Sequence, residues 1–165
     1  MNADQEQLKA AELLDVYERN NGLSGFQMFD SSEVDKYFHL KMAQLNKLSN
    51  IECAQAAYVL AEYSFHLQRT FNRESAKNRW ALDQITKCVC DKMNDYDKYA
   101  KYDHKIALIA KENEYVASLQ GIVSYSGQSM ERLSFLATSV KNMCEIMSNL
   151  QRAKAFSNKA NQYEH

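Results

Sequence analysis

Apolar side chains recur at intervals of three and four along most of this chain, the spacing of one face of an α-helix. Leu8, Ala11, Leu14 and Tyr17 mark a first amphipathic helix over about 3–19. "NNGLSG", residues 20–25, interrupts the pattern with glycine where a helix would end. A second helix opens at "DSSE", where Asp30 and Glu33 have capping spacing, and carries Val34, Phe38, Met42, Leu45 and Leu48 as its apolar stripe. Ser49 with Glu52 forms a capping box that starts a new helix. Ile51, Ala54, Tyr58, Ala61 and Phe65 are its first apolar stripe, and Leu82, Ile85, Val89 and Met93 resume the periodicity after a polar interval. The spacing predicts one helix of about 40 residues, or about 60 Å.

"NDYDKYAKYDHK", residues 94–105, lacks the periodicity and reads as a helix–helix connection whose tyrosines, Tyr96, Tyr99 and Tyr102, alternate with lysines. From near Asp103 a last long pattern runs through Ile106, Ile109, Val116, Leu119, Val123, Met130, Leu133, Ala137, Val140, Met143, Met147 and Leu150, with Gly121 and Gly127 as places for a kink or a break. The expected architecture is a single all-α domain over residues 1–165. It has shorter N-terminal helices over 1–48, a long antiparallel helical hairpin over 49–158 and a flexible tail over 159–165. Two helices this long bury too little surface by themselves, so the hairpin is expected to self-associate as an oligomeric bundle or ring.

Composition sharpens this reading. The chain has no proline and only four glycines, and these are the residues that punctuate turns, so all-β and α/β folds are excluded in favour of long helices. No segment approaches the ~20 apolar residues of a membrane span, and the acidic start "MNADQEQLKAAELL" has no signal-peptide core. Cys53, Cys88, Cys90 and Cys144 fall inside helical patterns and read as reduced thiols of a cytoplasmic protein.

The net charge is −1, yet it is unevenly spread. Residues 1–68 carry five basic and ten acidic side chains, residues 69–111 ten and six, and residues 112–165 five of each. Positive charge therefore gathers in "RTFNRESAKNRW" and just beyond it. At 100° per residue, Arg69, Arg73, Lys77, Trp80 and Lys87 share a face roughly 80° wide, and Arg79 lies beside it. Cations that track phosphates and a ring that stacks on any base are the mixture a single-strand groove needs. The same residues also suit the wet side of a long helix, with a tryptophan in a core or interface.

Catalytic and metal chemistry find little support. Cys88-x-Cys90 and His104 do not complete a zinc set, and Glu62 with His66 is one i,i+4 pair without a second. "DYDKYAKYD" lacks the glycine and glutamate of a calcium loop. Ser129 in "SGQSM" lacks the second glycine of a nucleophile elbow, and no phosphate-cradling glycine loop is present. The expectation is a protein that is not an enzyme and that takes no metal and no cofactor.

"SAKNRWALD" places a Lys-x-Arg followed by an aromatic partway along a long helix. "LQGIVSYSGQSMERLSFLATSVKNMCEIMSNLQRAKAF" leads from a tyrosine into a leucine-rich stretch with a basic, phenylalanine-terminated end. In this order and pattern, over about residues 50–157, the chain resembles the recombination mediator proteins of T-even-type phages, the UvsY family. The resemblance implies a small helical protein that forms a ring of six or seven subunits in the host cytoplasm and binds single-stranded DNA. It also implies contacts with the phage recombinase and the single-strand-binding protein, so that the first is loaded in place of the second. Lys77 and Arg79 would occupy the family's Lys-x-Arg motif; Arg69, Arg73, Trp80 and Lys87 come from helix geometry alone. The chain departs from the family's pattern in running on through "QITKCVCDKM" and in the acidic residues before Ser49, which suit a partner-binding or autoinhibitory addition. The competing reading is an oligomeric helical interaction or inhibitor protein without nucleic-acid binding.

Overall fold

The computed structural model describes residues 3–20, 32–90, 92, 95–96 and 99–163. Among the described residues six helices follow one another: α1 (Ala3–Asn20), α2 (Ser32–Phe38), α3 (Met42–Leu45), α4 (Asn50–Cys90), α5 (Tyr102–Glu112) and α6 (Glu114–Tyr163). The described residues contain no strand, and the fold is all-α with two long helices packed together. The chain divides into two compact units, Met1–Gly25 with Thr70–Arg132, and Phe26–Arg69 with Leu133–His165. The sequence reads as one domain because α4 and α6 run unbroken through both units.

In the second of these units the start of α4 is capped as the sequence predicts. The Ser49 amide donates to Glu52 Oε2 at 2.6 Å, and the Glu52 amide donates to Ser49 Oγ at 3.2 Å. The core collects Val34, Ala56, Leu60, Leu67, Val140 and Met147. Cys144 Sγ donates to the Ala57 carbonyl at 3.3 Å, while Lys154 Nζ reaches the carbonyls of Leu45, Asn46 and Leu48. Rising numbers on α4 meet falling numbers on α6, so the pair is antiparallel here. Lys154 also places a cation on the outward carbonyls at the end of α3, where a helix terminus favours one.

Two expectations for this unit are corrected. The stripe from Val34 to Leu48 does not lie on one helix. The chain breaks between Phe38 and Met42, with Lys41 extended and its amide taken by Gln44 Oε1 at 2.8 Å. Met42 is accordingly exposed. The stripe Ile51, Ala54, Tyr58 and Phe65 is not the buried face of α4 either. Ile51, Tyr58 and Phe65 are each about two-thirds exposed, and Cys53, Ala56, Leu60 and Leu67 are buried instead. Both sets have helical spacing, and Leu60 lies about half a turn from Ile51, so α4 is apolar on opposite sides.

In the first unit the core is Ala3, Ala81, Ile85, Val89, Ile109, Val116 and Leu119, drawn from α1, α4, α5 and α6. The last long pattern breaks at Asn113 rather than at a glycine. Asn113 Oδ1 accepts from the amides of Tyr115 at 3.0 Å and Val116 at 3.4 Å, a side-chain cap that ends α5 and begins α6. Gly121 and Gly127 lie within the 50 residues of α6. That helix continues to Tyr163, past the point where the sequence places a tail. The described part of the 94–105 connection is turn and bend up to Tyr102, and Tyr96 Oη donates to Glu112 Oε2 at 3.3 Å. Of the expected break at 20–25, Asn20 ends α1, while residues 21–25 and the Asp30 cap lie outside the described residues.

Candidate nucleic-acid interface

Five of the six residues predicted for the interface fall in the first unit, on the C-terminal half of α4. Arg69 falls in the second, where it is half-buried and engaged. The five do not form one open strip. Arg79 and Lys87 are exposed. Arg73 donates from Nη2 to Asp15 Oδ1 of α1. Lys77 Nζ pairs with Glu74 Oε1 at 2.6 Å, one turn back on its own helix. Glu74 is the more buried partner, and its second oxygen is buried with no hydrogen-bond partner among the described residues.

Trp80 is half-buried and packs against the core cluster that includes Ala3 of α1 and Ala81 of its own helix. Its indole contributes to holding the unit together and presents only part of its face to solvent. Helix angles group it with the cations but give no sign of α1 beside it.

α1 is the element that changes the site. Its sequence carries Asp4, Glu6, Glu12, Asp15 and Glu18 against Lys9 and Arg19, net −3. Through Asp15, Gln7 and Ala3 it lies beside Arg73, Lys77 and Trp80 respectively. An acidic helix therefore rests along the cationic part of α4.

Beside it opens a recess of about 490 Å³ lined by Gln7, Glu74, Lys77, Gly121 and Tyr125 among others. Tyr125 of α6 is 71% exposed. The structure thus brings a second ring, Tyr125 of α6, to the recess that Lys77 lines. Gly121 lines the same recess, and among the described residues no side chain or neighbouring helix comes within 4 Å of where a Cβ would stand, so the wall beside Lys77 is open. Sequence reasoning passed over Tyr125 as a site residue. The available signal was its position in "IVSYSG", off the apolar stripe of α6.

Elsewhere in this unit, Leu82, Ile85, Tyr102, Ile106 and Val123 line a mostly apolar cavity of about 310 Å³, which places Tyr102 against the helices. Tyr99 is almost fully exposed, and Lys98 lies outside the described residues. Among the described residues no three His, Cys, Asp or Glu side chains are grouped to hold a metal, and no helix is long and apolar enough to cross a membrane. Cys53, Cys88, Cys90 and Cys144 form no disulfide among the described residues. Compared with family models, curated proteins and solved structures, the chain has no match.

Proposed function

We propose that this chain is a non-enzymatic, self-associating accessory factor that binds single-stranded DNA in phage recombination and helps load a recombinase in place of single-strand-binding protein. The observation that carries the DNA-binding part is the recess in which the Lys77 ammonium and the exposed Tyr125 ring stand together. A cation for a phosphate and a ring for a base are what sequence-tolerant single-strand binding uses, the ring contributing about 1–3 kcal/mol per stacked base. The exposed Arg79 and Lys87 extend the positive charge along α4. The recombination role and the recombinase and single-strand-binding partners rest on the UvsY-family resemblance alone.

The Asp15 carboxylate on Arg73 occupies the guanidinium as a phosphate oxygen would. In this reading Asp15 of α1 competes with the strand for Arg73, and binding displaces that contact. Each subunit offers a short contact, so affinity comes from repetition across an oligomer. Binding should weaken steeply with salt, because neutralised phosphates release counterions.

The test is titration of a labelled oligonucleotide at low salt with the parent and with Lys77→Ala/Arg79→Ala/Tyr125→Ala. Strong binding by the parent, lost in the triple variant, supports the reading. Equal binding by both, or none by either, overturns it.

A second reading, a helical interaction or inhibitor protein, draws on the exposed Ile51, Tyr58 and Phe65 of α4. Partners recovered from lysate that persist after nuclease treatment would favour it.

A further inference from the structure

The recess that Lys77 and Tyr125 line also has a carboxylate in its wall. Glu74 lies one turn before Lys77 on α4, and its side chain is only 12% exposed. Its Oε1 accepts from Lys77 Nζ at 2.6 Å, while Oε2 is buried and has no hydrogen-bond partner among the described residues.

The hydroxyls of the lining do not fill that gap. Ser118 donates to the Glu114 carbonyl at 2.9 Å and Ser126 to the Ile122 carbonyl at 2.7 Å, so both protons are committed within α6. Gln7 and Tyr125 carry the remaining side-chain donors of the lining besides Lys77, and neither reaches Oε2. A buried acceptor without a donor costs free energy, and a ligand that supplies the donor recovers it. An ammonium has three N–H groups, so Lys77 can turn one to a phosphate and keep another on Oε1. Oε2 then still lacks a donor.

We infer that Glu74 reads the base stacked in this recess and that the recess prefers guanine. The inference rests on the single-strand reading and deepens it. A stacked ring is tolerant of base identity, whereas a carboxylate facing the edge of the base is not, because it only accepts. Unpaired bases offer their Watson–Crick edges to side chains. On that edge guanine alone carries two adjacent donors, N1–H and the 2-amino group, which match the two oxygens of a carboxylate. Adenine and cytosine set a ring-nitrogen acceptor beside their amino group, and thymine flanks its one N–H with two carbonyls. Each of these turns a lone pair toward Glu74. The last torsion of a glutamate side chain is soft, so both oxygens can turn to the base. The volume of about 490 Å³ lies within the range of small-ligand sites.

The experiment is titration at low salt of labelled thymidine oligonucleotides of one length. Isolated positions carry guanine, hypoxanthine, adenine or cytosine, spaced so that the strand does not fold on itself. The parent should bind the guanine strand about 5- to 150-fold more tightly than the all-thymine strand, the range for one bidentate base contact. Adenine and cytosine strands should bind like thymine. Hypoxanthine lacks only the 2-amino group and should lose most of the gain. Glu74→Gln keeps the shape of the side chain, and an unchanged helical circular dichroism signal verifies folding. It removes a negative charge and replaces one acceptor by a donor. This variant should bind the all-thymine strand at least as well as the parent and the guanine strand no better than that. A parent that binds guanine and thymine strands equally, or guanine and hypoxanthine strands equally, would overturn the inference and leave single-strand binding standing. A guanine preference that survives Glu74→Gln would do the same. Failure of the parent to bind any of the strands would overturn both.

Discussion

Asn78 Nδ2 donates to Ser126 Oγ at 2.9 Å and to the Val123 carbonyl at 3.0 Å, joining α4 to α6 inside the first unit. Ser126 is buried, and its own hydroxyl donates to the Ile122 carbonyl at 2.7 Å. Apolar contacts tolerate sliding by a turn, whereas this pair is satisfied at one register only, which orders the two helices relative to each other.

Ser126→Ala leaves an Asn78 N–H without its acceptor in a buried place and should lower stability by about 1–3 kcal/mol. Asn78→Leu/Ser126→Ala should cost less than the two single changes added together, because it removes both halves of the pair. Urea unfolding of the four proteins measures the coupling. Additive costs would mean that the bond contributes nothing to holding the register.

Trp80 and Tyr125 should separate stability from binding. Trp80→Ala removes a half-buried ring from a core cluster and should cost about 2 kcal/mol, below the ~3–5 kcal/mol of a fully buried aromatic. Its effect on oligonucleotide affinity in the protein that remains folded should be small. Tyr125→Ala removes an exposed ring and should leave the unfolding midpoint nearly unchanged while weakening oligonucleotide binding by about 5- to 150-fold, the range for one lost stacking contact. The opposite pattern would return the base-stacking role to the indole.

Asp15→Asn frees Arg73 from its carboxylate. The pair is partly exposed, at 30% and 47%, so solvent screens it and its loss should change stability little. If α1 competes with the strand, oligonucleotide affinity rises by up to about fivefold at low salt and the gain shrinks as salt increases. Unchanged affinity would show that α1 does not compete.

Much of the fold was legible because local rules decide it. The Ser49–Glu52 box specifies where α4 begins, and the absence of proline is consistent with its running about 40 residues, although the apolar pattern carries on to Met93 and the helix ends at Cys90. Where two answers satisfied the local rule equally, only tertiary partners decided. Leu60 and Tyr58 both sit on helical stripes, and α6 covers the first while leaving the second exposed. Asn113 is an ordinary cap residue, yet the apolar spacing runs past it without interruption and masks the break. For the candidate interface, helix angles group Arg73, Lys77 and Trp80. They cannot reveal that Asp15 lies 58 positions away in sequence and in contact with Arg73, or that Tyr125 arrives from another helix.

The capping box gives α4 a pH dependence of known sign. Hydrogen bonds from the Ser49 amide and hydroxyl, with Lys154 nearby, hold the Glu52 carboxylate below its ordinary range. A carboxylate whose folded value is depressed adds stability that is fully present above its unfolded value, about pH 4.3. That stability is lost as pH falls through the folded value. The difference in stability between the parent and Glu52→Ala should therefore be constant near neutrality and shrink in acid below about pH 4. Ser49→Ala should cost about 1 kcal/mol at neutral pH. A parent-to-variant difference that grows in acid would contradict the assignment.

Gly121 and Gly127 are places where a substitution can make the chain more stable. Both sit within α6, and among the described residues no side chain or neighbouring helix comes within 4 Å of the position a Cβ would take. Glycine inside a helix costs about 0.8–1.0 kcal/mol relative to alanine, mainly through the freedom it keeps in the unfolded chain. Gly127→Ala should stabilise the protein by nearly that amount and leave oligonucleotide binding alone. Gly121→Ala should stabilise it equally but adds a methyl group to the wall of the Lys77–Tyr125 recess, so any change in binding should appear in this variant and not in the other. Thermal unfolding and oligonucleotide titration of the two proteins side by side test both statements. Destabilisation by either alanine would mean that α6 bends at that glycine in solution, and equal binding changes in both would remove the recess from the interface.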